Sequence, residues 1–292
     1  MKKRSGLRRV TAGHLLILVL LTLFALTVLV PFINALTISF ITQDEYMQNK
    51  MTLFPKEPTL NAYIQISREG WLAPAYLNTI FISACGWLYC ITINVLTAYA
   101  ITRKFPGRKL FYLFLIIPMF FSGGLIPTYL LMVKLGLKNT YRALILPAGV
   151  STYYLMIMST FFRELPAELE ESARLDGASE GRILWSIILP LSKSVLATIS
   201  LFIIVGFWNS WFEALIYIDK PIRWPLQLHL RRIINQAESA MKDRENLMAN
   251  ITVYSESIRM ASVLVTMLPI MCVYPFLQKY FAKGVMIGAV KG

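Results

Sequence analysis

Residues 15–36 read LLILVLLTLFALTVLVPFINAL, 22 residues without one charged side chain. A helix of about 20 largely apolar residues crosses the hydrocarbon core of a bilayer, so this stretch predicts a membrane-spanning helix. It exceeds the roughly 7–15 apolar residues of a cleavable signal peptide, and no clean small-residue cleavage site follows it. We therefore interpret it as a retained span. Pro31 and Asn34 near its end predict a kink or a polar contact with a neighbouring segment.

The same kind of stretch recurs along the chain. Five further runs are almost free of Asp, Glu, Lys and Arg, and Lys193 is the one interruption. A β-barrel would show alternating segments of about 10 residues instead of solid apolar runs. We therefore predict an all-α, polytopic membrane bundle of six transmembrane helices. The five further runs are residues 70–102, 110–133, 143–162, 183–212 and 260–278.

The composition of the whole chain agrees with a membrane protein. Of its 292 residues, 56% are hydrophobic and 15% are charged, whereas about 25% of the residues in soluble domains are charged. The net charge of +13 would favour a nucleic-acid partner in a soluble protein. Membrane proteins, however, carry Lys and Arg as topology signals, so we expect no nucleic-acid partner. Three cysteines are too few for a disulfide scaffold.

The positions of the basic residues orient the predicted spans. The first 13 residues contain five basic side chains and no acidic one, which favours a cytoplasmic N-terminus. Six spans return the C-terminus to the cytoplasm, and the basic loop after the second span also falls inside, with Arg103, Lys104, Arg108 and Lys109. We expect a cytoplasmic N-terminus at 1–13, a single transmembrane domain at 14–282 with an outer loop at 213–259, and a cytoplasmic tail at 283–292.

One cytoplasmic segment does not fit a plain bundle. Residues 163–182 read RELPAELEESARLDGASEGR, which is too polar to span a membrane. Pro166 suits the first turn of a helix, and the acidic residues that follow it favour a helix N-terminus. Gly177 is a good helix stop, and Ser179 can cap a second helix. The segment predicts two helices with a glycine break at the membrane surface. The alternative is a solvated surface helix with routine caps.

A spaced motif runs through this segment. It reads Glu171-Ser172-Ala173, three residues, Gly177, nine residues, Ile187, one residue and Leu189-Pro190. The pattern resembles the EAA loop of ABC importer permeases, which reads E-A-A, three residues, G, nine residues, I, one residue, L-P. This sequence departs from it at Ser172, where the family usually has Ala, and Ser is nearly as small. The resemblance places a coupling EAA loop at residues 163–190.

Other stretches resemble the maltose-type carbohydrate branch of this binding-protein-dependent transport family. They are the Leu175-Asp176-Gly177-Ala178 stretch, residues 208–226 and the tail from Gln278 to Gly292. Residues 122–140, which begin with SGGLIP at Ser122, resemble a subgroup associated with complex oligosaccharides, including uronate-containing ones. The resemblance covers nearly the whole chain, and the EAA segment is its most specific part.

The resemblance implies the fold and partners of an ABC importer permease. Such a chain is one half of a translocation path in the cytoplasmic membrane of a prokaryote and pairs with a homologous second permease subunit. Two ATPase subunits bind on the cytoplasmic side, and an extracytoplasmic solute-binding protein docks on the other. ATP with Mg²⁺ would drive import of an oligosaccharide by alternating access. The nucleotide would lie on the ATPases, so this chain would bind no cofactor directly.

The resemblance also implies residue roles. Glu171 would meet a basic residue of the ATPase, Ala173 and Ala178 would allow close packing, and Gly177 would make the turn. The whole expected coupling set is Glu171, Ser172, Ala173, Asp176, Gly177, Ala178, Leu189 and Pro190.

Substrate-path candidates follow from residue type, since aromatic rings stack on sugars and amides bond hydroxyls. They are Tyr89, Asn94, Tyr129, Trp208, Asn209 and Trp211. Two alternatives remain for these side chains. Aromatic residues near span ends commonly form interfacial belts, and a buried Asn often joins two helices.

Several classes of protein lose support from what the sequence lacks. There is no G-x-x-x-x-G-K-[ST] phosphate loop, so we expect a non-enzymatic subunit without its own nucleotide site. His14 and His229 are the two histidines and lie in distant segments, so we expect no metal site. Two other functions stay open. One is an ABC permease for amino acids or peptides. The other is a stand-alone secondary transporter, which would normally need ionisable residues within its spans.

Overall fold

A computed structural model of the protein describes the backbone of residues 12–243 and 256–289, and the side chains of residues 13–236 and 256–273. The regular elements of the described residues are all helices, as predicted. The described part leaves out residues 1–11 of the predicted N-terminal segment, 244–255 of the predicted outer loop and 290–292 of the predicted tail.

Fifteen α-helices follow one another along the described chain. They are α1 (Ala12–Ser39), α2 (Gln43–Gln48), α3 (Asn61–Arg68), α4 (Leu72–Thr102), α5 (Arg108–Phe120), α6 (Leu125–Lys134), α7 (Arg142–Ile145), α8 (Thr152–Arg163), α9 (Ala167–Leu175), α10 (Glu180–Ile183), α11 (Leu189–Leu191), α12 (Lys193–Asn209), α13 (Phe212–Tyr217), α14 (Leu226–Asp243) and α15 (Glu256–Ala289). A π-helix, Leu184–Ile188, joins α10 to α11, and 3₁₀ turns follow α7 and α13.

Both single helices and bent helix pairs are long and apolar enough to cross a membrane. Three described helical stretches are long and apolar enough to cross a bilayer, namely residues 13–39, 72–102 and 256–273. Three bent pairs pass the same test: α5 with α6 at 116°, α7 with α8 at 46°, and residues 180–191 with α12 at 83°. Up to six spans result if each bent pair counts as one. The six-span count and the cytoplasmic termini stay predictions.

The described chain divides into two compact units. Of the described residues, the first unit contains 12–68, 233–243 and 256–265, and the second contains 69–232 and 266–289. The prediction of a single transmembrane domain at 14–282 stays a prediction.

In the first unit, polar side chains at the end of α1 hold the segment that follows it. Asn34 donates from Nδ2 to the carbonyl of Thr52 at 3.1 Å, and Thr37 donates to the carbonyl of Leu53 at 2.8 Å. The helix runs unbroken through Pro31. The polar contact predicted for the end of this span is therefore present.

In the second unit, α4 is the central helix and packs against α8 and α12. A cluster of buried apolar side chains fills the space between these three helices and the segment around Ile183. Representative members are Ala98, Met158, Ile183 and Ile199, all with no exposed surface. Because each of the three helices buries one side in this cluster, movement of α4 relative to its neighbours must repack the cluster.

The predicted outer loop at 213–259 is partly helical. Its helix α14 begins at Leu226 and ends at Asp243. Leu226 and Leu228 are buried, so apolar contacts hold the start of this helix.

An ionic junction ties the start of this loop to the turn before α7. Asn139, with a positive φ of 61°, bonds Asp219 through both its amide oxygen and its amide nitrogen. Lys138 pairs with Asp219 at 3.0 Å, and this hydrogen bond holds the pKa of the Asp219 carboxyl below its usual range. The junction fixes the two segments to each other.

Candidate functional site

The segment predicted as a coupling loop folds as the sequence indicates. Helix α9 begins after Pro166, which is its N-cap and lies one residue before the predicted first turn. Glu168 and Glu170 lie in that first turn, where the partial positive charge of the helix N-terminus stabilises them. The helix then stops at Gly177, whose φ is 79°.

The end of α9 is a Schellman turn. The amide of Ala178 donates to the carbonyl of Ala173 at 2.9 Å, and the amide of Gly177 donates to the carbonyl of Arg174 at 3.0 Å. The side chain of Ser179 then caps α10 by accepting from the amide of Arg182 at 3.3 Å. The predicted stop at Gly177 and the predicted cap at Ser179 are therefore confirmed.

The two sides of this turn differ in exposure. Glu171, Ser172, Asp176 and Gly177 are all exposed. Between them lies Leu175, whose side chain is 89% exposed. A large apolar side chain that projects into solvent beside acidic neighbours is suited to docking into an apolar recess of another molecule.

The alanines of the motif face the opposite way. Ala173 and Ala178 pack against the buried cluster around α4, α8 and α12, as does Leu189. Their small size allows α9 to lie close to this chain's own helices. Their predicted role at an ATPase surface is untested by this contact and stays a prediction.

A charged network joins α9 and α10 to the end of α4. The guanidinium of Arg103, the residue after α4, donates to Glu170 and lies 3.4 Å from a carboxylate oxygen of Glu180. Arg174 binds the same two carboxylates at 3.3 and 3.0 Å. Tyr99 donates to Glu180 at 2.6 Å, and the guanidinium of Arg103 lies 4.1 Å from the centre of the Tyr99 ring.

Burial and charge both act on Arg103. Its side chain is 24% exposed, and that of Glu170 is 14% exposed. Burial by itself lowers the pKa of Arg103, but the hydrogen bond to Glu170 and the charge of Glu180 outweigh it, so the pKa of Arg103 is raised. The residue stays cationic, and its ion pairs hold α9 and α10 on the end of α4. Because the pairs are partly buried, salt screens them less than fully exposed ones.

The connection from this segment to α12 is sharply bent. The π-helix Leu184–Ile188 and the short α11 lead to Ser192, after which the axis turns by 83°. Pro190 precedes the bend and lacks an amide hydrogen, so the helical hydrogen-bond ladder is already interrupted there. Leu189 and Pro190 therefore lie where the direction of the chain into α12 is set, and their proposed role is to fix that direction.

A cavity of about 680 Å³ lies beside α12 in the second unit. Its walls combine aromatic rings with hydroxyl and amide groups. Rings come from Tyr154, Phe202, Phe207, Trp211, Phe212 and Tyr217, and polar groups come from Ser122, Thr128, Asn209, Ser210 and Glu213. Such a lining suits a sugar, because rings cover its apolar faces and the polar groups bond its hydroxyls.

Two of the six predicted substrate-path residues line this cavity. Asn209 accepts from Gln227 at 3.4 Å, and Trp211 has the guanidinium of Arg231 at 4.9 Å from its ring centre. Glu213 also lines the cavity and accepts from Ser210 at 2.7 Å.

The other four predicted residues occupy different places. Tyr89 packs against the buried cluster, and Tyr129 stacks on Tyr217 at 6.1 Å. Trp208 lines a separate apolar cavity of about 260 Å³ and donates to the carbonyl of Thr266 at 3.2 Å. Their contact with a substrate stays a prediction.

Asn94 joins helices. It is fully buried, donates to the carbonyls of Cys90 and Gly149 at 2.7 and 2.8 Å, and accepts from the amide of Ser151 at 3.1 Å. These bonds satisfy backbone groups at the break between the 3₁₀ turn and α8, as expected for a helix-joining Asn.

We expect Asn94→Leu to lower the free energy of unfolding by about 2–4 kcal/mol, because it leaves a buried carbonyl and a buried amide without partners. Thermal unfolding of the detergent-solubilised protein measures the effect. Asn78→Leu is the matched control, since that Asn bonds the carbonyls of Ile222 and Trp224 at a more exposed position. Equal thermal stability of Asn94→Leu and the unchanged protein would contradict the assignment.

Sequence reasoning missed several residues of these two sites. Arg103 appears in the sequence only as a topology signal, because its carboxylate partners lie about 70 residues away along the chain. Leu175 could have been found, since a Leu between Arg and Asp before a helix stop departs from the surrounding polar pattern. Tyr154, Phe207 and Glu213 reach the cavity from different helices, and no spacing rule connects them.

The comparisons with known proteins address the same segments. A family model described as "Binding-protein-dependent transport system inner membrane component" matches residues 91–287, which include α9, α12 and the motif between them. The chain belongs to this family. It is therefore a multi-pass membrane protein and a transport permease, as its resemblance to ABC importer permeases predicts.

Relatives in this family include sugar permeases. The chain is 42% identical to Protein LplC of Bacillus subtilis, over 92% of this chain and 90% of the relative. It is 37% identical to the polygalacturonan/rhamnogalacturonan transport system permease protein YtcP of the same organism, over 93% and 96%. The name of YtcP favours a carbohydrate permease over the amino-acid or peptide alternative.

A solved structure of a family member has the same fold. It is the crystal structure of a bacterial ABC transporter involved in the import of the acidic polysaccharide alginate. One of its chains matches with a TM-score of 0.83 and 30% identity, over 94% of this chain and 98% of that one. The predicted ABC importer permease fold is confirmed.

Proposed function

We propose that this chain is one of two homologous permease halves of an ATP-driven importer that moves an oligosaccharide across the cytoplasmic membrane of a prokaryote. The observation that carries the proposal is the segment at residues 167–183, which we name the coupling segment. It presents Leu175 and Glu171 to solvent on one side and is held on the other by Arg103 at the end of α4. An exposed docking surface that is joined by ion pairs to the end of α4 can transmit the movement of a bound partner to that helix.

The proposed partners follow from the family and from this segment. Two ATPase subunits would bind ATP and Mg²⁺, and one of them would receive α9. A homologous second permease would complete the path, and an extracytoplasmic solute-binding protein would deliver the substrate. The sequence contains no phosphate-binding loop of its own, so hydrolysis is assigned to the partners and no chemical step to this chain.

The proposed substrate enters the cavity beside α12. Asn209, Glu213 and Ser210 offer polar partners for sugar hydroxyls, and Trp211 offers a ring. An anionic, uronate-containing oligosaccharide is the proposed class, since YtcP is named for polygalacturonan and the solved relative imports alginate. The guanidinium of Arg231, beside Trp211, is the cation that would meet a uronate carboxylate.

Reconstitution tests this function. The chain would be tagged in its native host, extracted in mild detergent, and its co-purifying subunits identified and placed in liposomes. We expect recovery of a second permease and an ATPase, and hydrolysis that rises when a binding protein loaded with oligosaccharide is added. A stable chain recovered alone, with substrate uptake that needs no ATP, would restore the stand-alone transporter.

Trp211→Ala should raise the substrate concentration needed for half-maximal uptake by about two- to thirteenfold, because a ring contact contributes about 0.5–1.5 kcal/mol. Trp211→Phe is the matched control and should recover most of the loss. Unchanged uptake by Trp211→Ala would show that this cavity is not part of the substrate path.

Arg231→Gln should weaken uptake of a uronate oligosaccharide more than uptake of a neutral one of equal length.

A further inference from the structure

A second cavity, formed by basic side chains, lies between the end of α4 and the start of α5. We name it the basic groove. It has a volume of about 650 Å³, and its side-chain walls are Lys104, Phe105, Arg108, Lys109, Tyr112 and Arg163. Three segments contribute: the connection after α4, the first turns of α5, and the last residue of α8. The first two segments are neighbours in sequence, whereas Arg163 is brought to the groove by the fold.

The charge of the basic groove is uncompensated within the described chain. Its walls include four cations and no carboxylate. None of the four pairs with an acidic side chain among the described residues, although Arg103 next to them pairs with two. Arg163 donates to the carbonyl of Ile101 at 3.4 Å, which leaves its charge unbalanced. Four like charges around one cavity repel each other, and an anion bound between them would replace that repulsion by attraction.

The location of the basic groove selects the kind of anion. Helix α4, a membrane-spanning candidate, ends at Thr102, and α5, which begins the next candidate, starts at Arg108. The groove therefore lies at the level where a span meets water. Phe105 and Tyr112 add aromatic walls beside the cations. A ligand that has an anionic head and an apolar body matches both parts.

We propose that the basic groove binds one anionic phospholipid, with its headgroup phosphate among the four cations and its first acyl carbons along Phe105 and Tyr112. An acidic protein surface would satisfy the charge but would leave these apolar walls uncovered. This site shares no residue with the segment at 167–183 or with the cavity beside α12. The inference therefore goes beyond the proposed function.

The proposed lipid site lies beside the charged network. Lys104 follows Arg103 directly, and Arg163 holds the carbonyl of Ile101 in the last turn of α4. A bound headgroup would bridge the ends of α4, α5 and α8. It would thus stiffen the helix end to which α9 is attached.

Native mass spectrometry of the purified full-length chain tests this proposal. The probes are phosphatidylglycerol and phosphatidylcholine with identical acyl chains. We expect selective retention of one phosphatidylglycerol molecule. Replacement of the four groove cations by Gln should weaken it by roughly fivefold per cation removed, since each contributes about 1 kcal/mol to binding an anionic lipid. The substitutions are Lys104→Gln, Arg108→Gln, Lys109→Gln and Arg163→Gln.

A matched control removes four exposed cations elsewhere and should leave phosphatidylglycerol binding unchanged. These substitutions are Lys50→Gln, Lys56→Gln, Arg68→Gln and Lys134→Gln. A triple variant that keeps Arg163 preserves its bond to Ile101 and still tests the site if the fourfold variant fails to fold.

Three outcomes would overturn the proposal. Equal retention of phosphatidylcholine and phosphatidylglycerol would show that the groove does not select lipids by headgroup charge. An equal loss in the control variant would show that net charge alone matters. Unchanged lipid retention in the triple variant, together with loss of the co-purifying ATPase, would make the groove a protein-docking surface.

Discussion

Replacement of Gly177 by Asp should abolish oligosaccharide uptake while the permease remains folded in the membrane. Gly177 lies in the left-handed region, where a non-glycine residue costs about 1–2 kcal/mol. A Cβ added at this position would have no atom within 4 Å, so the side chain itself fits. The larger effect is electrostatic, because the Asp side chain would add a further carboxylate to a surface that already exposes Glu171 and Asp176 and that is proposed to dock into the ATPase.

Gly177→Asn is the matched control for that experiment. Asn has nearly the same shape as Asp, tolerates the left-handed conformation and carries no charge. We expect Gly177→Asn to retain most uptake and Gly177→Asp to retain less than about a tenth, a difference of about 1.4 kcal/mol or more. Uptake and ATP hydrolysis are measured in the same liposomes. If Gly177→Asp transports normally, this surface does not couple hydrolysis to transport.

The second large effect concerns the charged network. Arg103→Glu places a third carboxylate next to Glu170 and Glu180, so the coupling segment should detach from the end of α4. We expect uptake to fall at least about tenfold while ATP hydrolysis persists, because loss of a charged hydrogen bond alone costs about 1.5–3 kcal/mol. The ratio of substrate molecules imported to ATP molecules hydrolysed is the informative quantity.

A double-mutant cycle identifies the interaction. Glu170→Arg combined with Arg103→Glu restores one opposite-charge pair and should recover part of the uptake, which neither single substitution does. Lys134→Glu is the control for charge reversal, since that side chain is exposed and belongs to no described ion pair. Simple addition of the two single effects would mean that Arg103 and Glu170 do not act together.

The sequence predicts much of this fold because local rules decide it. The apolar run at 15–36 specifies a helix by composition alone, and α1 covers it completely. The stop at Gly177 and the cap at Ser179 depend on neighbours within a few residues, so their positions are also predictable. The helix joint at Asn94 is predictable only as one of two alternatives, because its partners near Gly149 are far along the chain.

Other features depend on packing between distant segments. An apolar run predicts a helix but not where the helix bends. The bends of 116° between α5 and α6 and of 83° before α12 therefore cannot be predicted from the apolar pattern. The cavity brings Tyr154 together with Trp211 across nearly 60 residues. Trp208, adjacent to a cavity residue, points to another cavity because successive helical side chains differ by about 100° in direction.

The bend of 83° before α12 makes residues 180–191 a lever arm, nearly perpendicular to the axis of α12. This arm is about 18 Å long at 1.5 Å per residue. A lateral displacement of about 3 Å at the far end of an arm of that length rotates α12 about its own axis by about 10°, with little translation along that axis. Small displacements at the α9 end would thus become rotation of the helix that carries Asn209 to the sugar cavity.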